Sequence, residues 1–363
     1  MKLRTFTVRT FFIPGVAITR RRMYNVYNYP YLSEEKMKKA LSLIAAFLIL
    51  LAAFTACGND TAEKDYPLTV NGTPLDGEIF KYYLGESFSE AENTSRDGRI
   101  TYATNACIRY VATNSTFSAK GLSLTAAESV SLSEEANAMW NLFGGHYTKL
   151  GVSKETFMKI RTNAAYTEKL RLSLYDEGGA TPIPDNDLKA YFASYYAAFK
   201  LVRGYLFATD IYGNTVPYSD AELAAILDRY NKAAEQINGN TSIEFIYPSL
   251  VSGDQEVEQA LKTVVIQDAD PYYPEGFYAK VREIQPGTAQ VCVFGDYLYL
   301  VYRVDILSDE ALFKEHRAEC LKAVSEIPLQ NEITAMCNAY TSVRRPNLVD
   351  DYYTEISRMK RNG

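Results

Sequence analysis

The side chains able to do chemistry are few, and their spacing excludes most enzyme classes. The 363-residue chain has two histidines, His146 and His316, both on stretches of helical periodicity or at their ends. Neither has a metal-binding partner at ligand spacing, and Gly144-Gly145-His146 stands alone, so no metal and no cofactor are expected. There is no GxSxG elbow, no HExxH, no phosphate-binding glycine loop and no dinucleotide fingerprint. Asp268 and Asp270 form a carboxylate pair within one loop, where a solvated acidic turn is the simpler reading. Cys107, Cys292, Cys320 and Cys337 show no CxxC and no paired spacing, and read as buried apolar side chains. Cys57 differs, because it closes an uncharged apolar run.

That run organises the chain. Lys38 and Lys39 precede Ala40 to Ala56, which carries no charge and is short for a membrane span. It ends in Phe54, Thr55 and Ala56, small residues apart from the phenylalanine, directly before Cys57. The order resembles the bacterial lipoprotein signal. That resemblance implies that the Cys57 thiol is joined to diacylglycerol and that the chain is cut just before it. Phe54 departs from the usual leucine. Residues 57–65 then read as a polar tether. Residues 1–36, with Arg20, Arg21 and Arg22 and several tyrosines, read as an upstream extension from a misassigned start, outside the fold.

Charge narrows the partners. Residues 1–56 hold nine of the 38 basic and two of the 44 acidic side chains. The remainder has 29 basic and 42 acidic groups, a formal charge of −13. This argues against nucleic acid and against adhesion to anionic headgroups. About 300 residues suffice for two domains with sizeable cores. Tyrosine is abundant, 29 in the chain, which suits adaptable contacts with partners.

The elements follow from periodicity and caps. A short strand at 66–70 turns at Asn71-Gly72 into a helix capped by Asp76. Further helices are expected near 100–113, from 125 to an interruption at Gly144-Gly145, and from Ser153 to about Tyr175. After Pro182 and Pro184, a helix carries Leu188, Tyr191, Phe192, Tyr195, Tyr196 and Phe199. Lys200 to Phe207 reads as a strand. Ser219 and Glu222 form a capping box for the next helix. Short helices are expected near 255–262 and 276–284. Gln290 to Phe294 and Tyr297 to Val304 then form a hairpin across Gly295-Asp296. A long helical region from Ser308 is interrupted at Pro328, and residues 346–363 read as a polar tail with one helical turn. The fold class is therefore α+β. A mostly helical domain is formed by 66–198 and 307–345, and a small β/α domain, 199–306, is inserted into it.

This order resembles the extracytoplasmic foldases of the PrsA and SurA type. The resemblance runs through Val70-Asn71-Gly72 with Tyr82-Tyr83-Leu84, Gly151-Val152-Ser153, Asp185 to Tyr191, and Ile284 to Gly287 through Phe294-Gly295 to Val304-Asp305. It implies a chaperone-like helical domain carrying a parvulin, a peptidyl-prolyl isomerase domain. Active parvulins carry a histidine in the first strand and another in the last. The matching residues here are Gly204, within Arg203 to Phe207, and Tyr297 after Phe294-Gly295-Asp296. The resemblance therefore implies a degenerate domain with no catalytic residue.

The function expected is a folding factor held to the outer face of a bacterial cell membrane. It would bind unfolded or nascent secreted polypeptides. Candidate client-binding residues are Tyr191, Tyr195, Tyr196, Phe199, Tyr205, Phe277 and Phe294, with helix core as the competing reading of the 191–199 cluster. An active prolyl isomerase with unusual residues is a second reading. A surface or solute-binding lipoprotein without a folding role is a third. Replacing Cys57 by Ser is expected to release the protein from membranes or to leave the signal uncut. Fractionation with a mass measurement tests this, and a Cys57→Ser chain that stays bound at the normal mature mass would refute lipidation.

Overall fold

The structure is a computed structural model and describes residues 66–90, 95–250 and 261–362. Cys57, the apolar run, the leader, the tether and most of the helix expected at 255–262 lie outside the described residues. The fold is α+β. Its contacts divide into two compact units, one of 66–173 with 328–362 and one of 174–327. The first is thus built from both ends of the chain.

In the first unit, β1 (Leu68–Val70) and β2 (Thr73–Leu75) form a hairpin. Its turn needs two positive φ angles, supplied by Asn71 at 46° and Gly72 at 76°. The far end of the chain returns as β9 (Ser342–Arg344), antiparallel to β1 with Leu68 opposite Arg344. The strand order is β2-β1-β9. Asn71 also bonds Thr341, accepting from its backbone N–H at 2.8 Å.

Four helices follow the hairpin: α1 (Gly77–Glu90), α2 (Arg96–Ala119), α3 (Ala126–Lys149) and α4 (Lys154–Tyr175). Their starts agree with the cap residues. Asp76 accepts from the Glu78 N–H, and Ser153 accepts from Thr156. Thr125 and Glu128 close a capping box that opens α3. The core holds Leu68, Val70, Phe80, Leu84, Cys107, Phe157 and Ile356. Tyr147 stacks on Tyr82 at 5.4 Å between centroids and meets Phe157 at 4.8 Å.

Three expectations change in this unit, and in the second unit Phe199, expected on a helix, lies in the strand Ala197–Tyr205 because the helix stops at Tyr195. Helix α3 continues through Gly144-Gly145, and a Cβ on Gly144 would stand 2.7 Å from the Trp140 ring. The glycine is a packing requirement there, and one glycine costs a helix only about 1 kcal/mol. Pro328 lies inside α9 (Glu310–Asn338) without ending it. The C-terminal stretch is a 17-residue helix, α10 (Pro346–Asn362), that buries Val349 and Ile356. Its polar composition hid this, because one apolar stripe suffices to dock a helix. Lys81 of α1 pairs with Glu355 at 2.8 Å, and its ammonium lies 4.6 Å from the Tyr352 ring centroid.

The second unit begins with α5 (Asp185–Tyr195) and contains a four-stranded, wholly antiparallel sheet of order β6-β3-β8-β7. The strands are β3 (Ala197–Tyr205), β6 (Val264–Ile266), β7 (Ala289–Phe294) and β8 (Tyr297–Val304). A two-stranded hairpin of β4 (Phe207–Thr209) and β5 (Thr215–Pro217) follows β3. Helix α6 (Asp220–Asn238) opens with the Ser219–Glu222 capping box. The short α7 (Ile243–Ile246) follows, and α8 (Phe277–Glu283) precedes β7. No helix among the described residues is long and apolar enough to cross a membrane.

Ile356 is fully buried against the core of the first unit. Ile356→Ala is expected to lower unfolding free energy by about 2–4 kcal/mol. Denaturant titration checks this, and a change below about 0.5 kcal/mol, the size of an ordinary surface substitution, would return the C-terminal stretch to the status of a tail.

Candidate functional site

The central pair of the sheet sets the site. Strand β3 runs antiparallel to β8 from Ala198 opposite Val304 to Tyr205 opposite Tyr297. Directly opposed residues share a face, and successive residues alternate. Gly204 pairs with Leu298, so it lies on the face with Val202 and Leu300 that is packed under α6. Tyr297 pairs with Tyr205 and lies on the other face, with Leu201, Arg203 and Tyr299. The two positions matched to histidines are therefore not cross-strand partners.

Tyr230 of α6, and not Tyr297, occupies the space above Gly204. A Cβ built on Gly204 would stand 2.6 Å from the Tyr230 hydroxyl and 2.9 Å from its ring. The tyrosine is buried and its phenol is pushed up by burial. A side chain at 204 and the ring at 230 compete for one volume. Sequence reasoning missed Tyr230 because it lies 26 residues further on, on a different element.

The opposite face is aromatic. From the core outward, Tyr273 stacks on Phe277 at 4.7 Å, and Phe277 meets Phe294 at 5.6 Å and Tyr299 at 5.3 Å. Tyr299 reaches Tyr297 at 6.3 Å, and Tyr297 meets Tyr205 at 5.7 Å. Phe207 closes on Tyr205 at 5.4 Å. Exposure rises along this run, from Phe277 at 1% to Tyr297 at 36% and Tyr205 at 40%. Arg203 stands at the open end, its guanidinium 5.4 Å from the Tyr205 centroid and 5.8 Å from that of Tyr297. It donates to the Tyr205 hydroxyl at 3.1 Å and pairs with no carboxylate among the described residues.

The remaining expected client residues divide by burial. Tyr196, Phe199 and Phe277 are core side chains, so their surfaces are already covered. Phe199 packs edge-on against Phe277, and the Tyr196 hydroxyl donates to Glu319 at 3.2 Å. Tyr191 and Tyr195 form a half-buried stacked pair at 4.4 Å. Phe294 is half-buried within the aromatic run. Of the candidates on the sheet, Tyr205 offers the most open surface, and Arg203, Phe207 and Tyr297 join it.

Neither histidine lies on this face. His316 lies on α9, stacked on Phe192 at 5.5 Å with Nδ1 3.3 Å from Glu319. His146 lies on α3 in the first unit. Burial raises the phenols of Tyr273 and Tyr299 and the thiol of Cys292. These groups stay neutral at physiological pH and cannot serve as bases. The arrangement can stack on, and hydrogen-bond to, an apolar or amide surface.

No protein-family model matches the chain, and no curated protein matches it. Among solved structures it is similar to the foldase protein PrsA of Lactococcus lactis, at 11% identity and a TM-score of 0.38, over 81% of this chain and 99% of that one. It is similar to PrsA of Streptococcus pneumoniae at 9% identity and 0.32, over 84% and 94%. A SurA-like chaperone structure from Campylobacter jejuni matches at 12% and 0.29, over 78% and 99%.

Gly204→Ala is expected to cost about 1–3 kcal/mol through overpacking against Tyr230. Adding Tyr230→Val should recover part of that cost, so the two changes are non-additive. Equilibrium unfolding of the single and double variants measures the coupling. Additive effects would mean that the ring does not fill the space above Gly204.

Proposed function

We propose that this chain is a lipid-anchored, extracytoplasmic folding factor that holds unfolded polypeptides and lacks prolyl isomerase chemistry. The observation that carries the reading is the open aromatic face of Arg203, Tyr205, Phe207 and Tyr297, which is without imidazole. Exposed aromatic clusters are uncommon on proteins that bind nothing. Tyrosine and arginine are also the side chains that carry binding energy in interfaces. Prolyl isomerisation must lower a barrier of about 18–20 kcal/mol by desolvating and twisting the amide. With Gly204 covered by Tyr230, the face under α6 has no room for a substrate ring.

The lipid anchor at Cys57 and the location on the extracytoplasmic face of the cell membrane belong to this proposal. They rest on the signal-like run from Met37 to Cys57. The division into a helical domain, 66–198 with 307–345, and an inserted binding domain, 199–306, is also proposed; it rests on the order of the elements, and the compact units, 66–173 with 328–362 and 174–327, differ from it in their bounds. Clients are then unfolded or nascent secreted chains, met after export.

Isomerisation of a proline tetrapeptide is expected to be near background, while aggregation of an unfolded client is measurably suppressed. The double substitution Tyr205→Ser with Tyr297→Ser should weaken suppression several-fold, and excision of 199–306 should weaken it only in part. A catalytic rate like that of an active parvulin would establish the isomerase reading instead. Loss of both activities would favour a surface or solute-binding lipoprotein.

A further inference from the structure

Strand β7 is an edge of the four-stranded sheet, with β8 as its neighbour. The direction of its backbone groups can be read from its first residue. The Ala289 N–H donates to Oδ1 of Asn238 at 2.7 Å, and the Asn238 Nδ2 donates to the Ala289 carbonyl at 3.0 Å. Asn238 is the last residue of α6 and belongs to no strand. The preceding residue, Thr288, instead accepts from the Arg303 N–H at 2.9 Å, towards β8. Backbone groups alternate along an antiparallel strand. Gln290, Cys292 and Phe294 therefore face β8, opposite Val301, Tyr299 and Tyr297. Ala289, Val291 and Val293 face outward.

The first outward position already holds an amide. The Asn238 side chain supplies one donor and one acceptor to Ala289, as a neighbouring strand would. At Val291 and Val293 no partner for these groups exists among the described residues. Val293 is 52% exposed and Val291 is half-buried. Open edges of this kind pair readily with extended chains, and proteins usually block them with charge, proline or a bulge. Val291 to Val293 carries none of these.

We infer that β7 receives an extended segment of an unfolded polypeptide as a fifth strand, paired at Val291 and Val293 and stopped at Ala289 by Asn238. This rests on the client-holding reading above. Backbone pairing needs only an extended chain with unpaired amides, which unfolded polypeptides have and folded ones lack. It therefore suits clients of unrelated sequence. A second copy of this chain is the competing occupant of an edge. The formal charge of −13 beyond residue 56 opposes self-association. The turn residue Asp296, beside the end of the edge, adds to that repulsion.

The test is amide hydrogen exchange on the full chain, with reduced, carboxamidomethylated ribonuclease A, an unfolded chain that is not acidic, as the probe. In the free protein, the Val291 and Val293 amides should exchange faster than those of Cys292 and Phe294. Saturating probe should slow the two outward amides by about tenfold or more, as new ladder hydrogen bonds do. The inward amides should change little. Val293→Pro removes an outward donor and no bond to β8, so it should weaken probe binding by about tenfold without loss of the fold. Val293→Thr, which keeps the donor, should bind as before. Probe binding with unchanged exchange at Val291 and Val293 would overturn this inference and leave client holding intact. No binding of the probe at all would remove both. Protection that grows with protein concentration in the absence of probe would assign the edge to a second copy and overturn the inference.

Discussion

The register of β3 on β8 is the constraint from which the second unit follows. Because Gly204 meets Leu298 and Tyr205 meets Tyr297, one face collects small and aliphatic side chains and the other collects rings. Helix α6 can then lie close on the first face, with Tyr230 reaching the sheet where a side chain is missing. A slip of one residue would exchange the faces, bury Arg203 beneath α6 and expel Val202 and Leu300 to the other side. The hairpin across Gly295-Asp296 holds the register at one end, where the Leu206 N–H donates to the Asp296 carbonyl at 2.9 Å.

Two arginines lock the surrounding helices to this sheet by donating to backbone carbonyls. Arg303 of β8 donates to the carbonyls of Arg282 and Ile284 at the end of α8, both at 2.6 Å. Arg282 donates in turn to the carbonyls of Ala193 and Tyr196 at the end of α5, at 2.5 and 3.0 Å. Helix C-termini leave such carbonyls unpaired and carry partial negative charge, so a cation is the fitting partner. Burial and the charge of Arg282 lower the Arg303 pKa from its usual value, a cost offset by two short hydrogen bonds. Arg203 is the contrast on the same sheet. Among the described residues it serves no carbonyl and remains stacked on tyrosines at the surface.

Local signals were legible in the chain and distant ones were not. The Asn71-Gly72 turn, the Ser219–Glu222 box and the hairpin at Gly295-Asp296 each depend on a few adjacent residues, and each lies where the pattern placed it. Periodicity failed where tertiary packing set the outcome. Gly144 reads as a break until Trp140 is seen against it, and the polar C-terminal stretch reads as a tail until Ile356 is seen in the core. The candidate site was half legible. Tyr196 and Tyr205 are the same residue nine positions apart, yet one is core and the other open. Nothing in residue type separates them, because the difference lies in which face of which element is covered. Asn238 and Tyr230 were invisible for the same reason, since their roles exist only against β7 and β3.

The closure of the first unit by β9 bears on when this protein can finish folding. Strand β1 is the middle strand of its sheet, and Asn71 bonds Thr341 across 270 residues of sequence. A chain made from its N-terminus has β1 in hand about 270 residues before β9. The sheet unit, contiguous from 174 to 327, has all its strands before then and can complete first. The helical unit must wait with one side of β1 unpaired until β9 arrives. A chain proposed to hold incomplete chains thus passes through that condition itself, with one side of β1 unpaired while some 270 further residues are made.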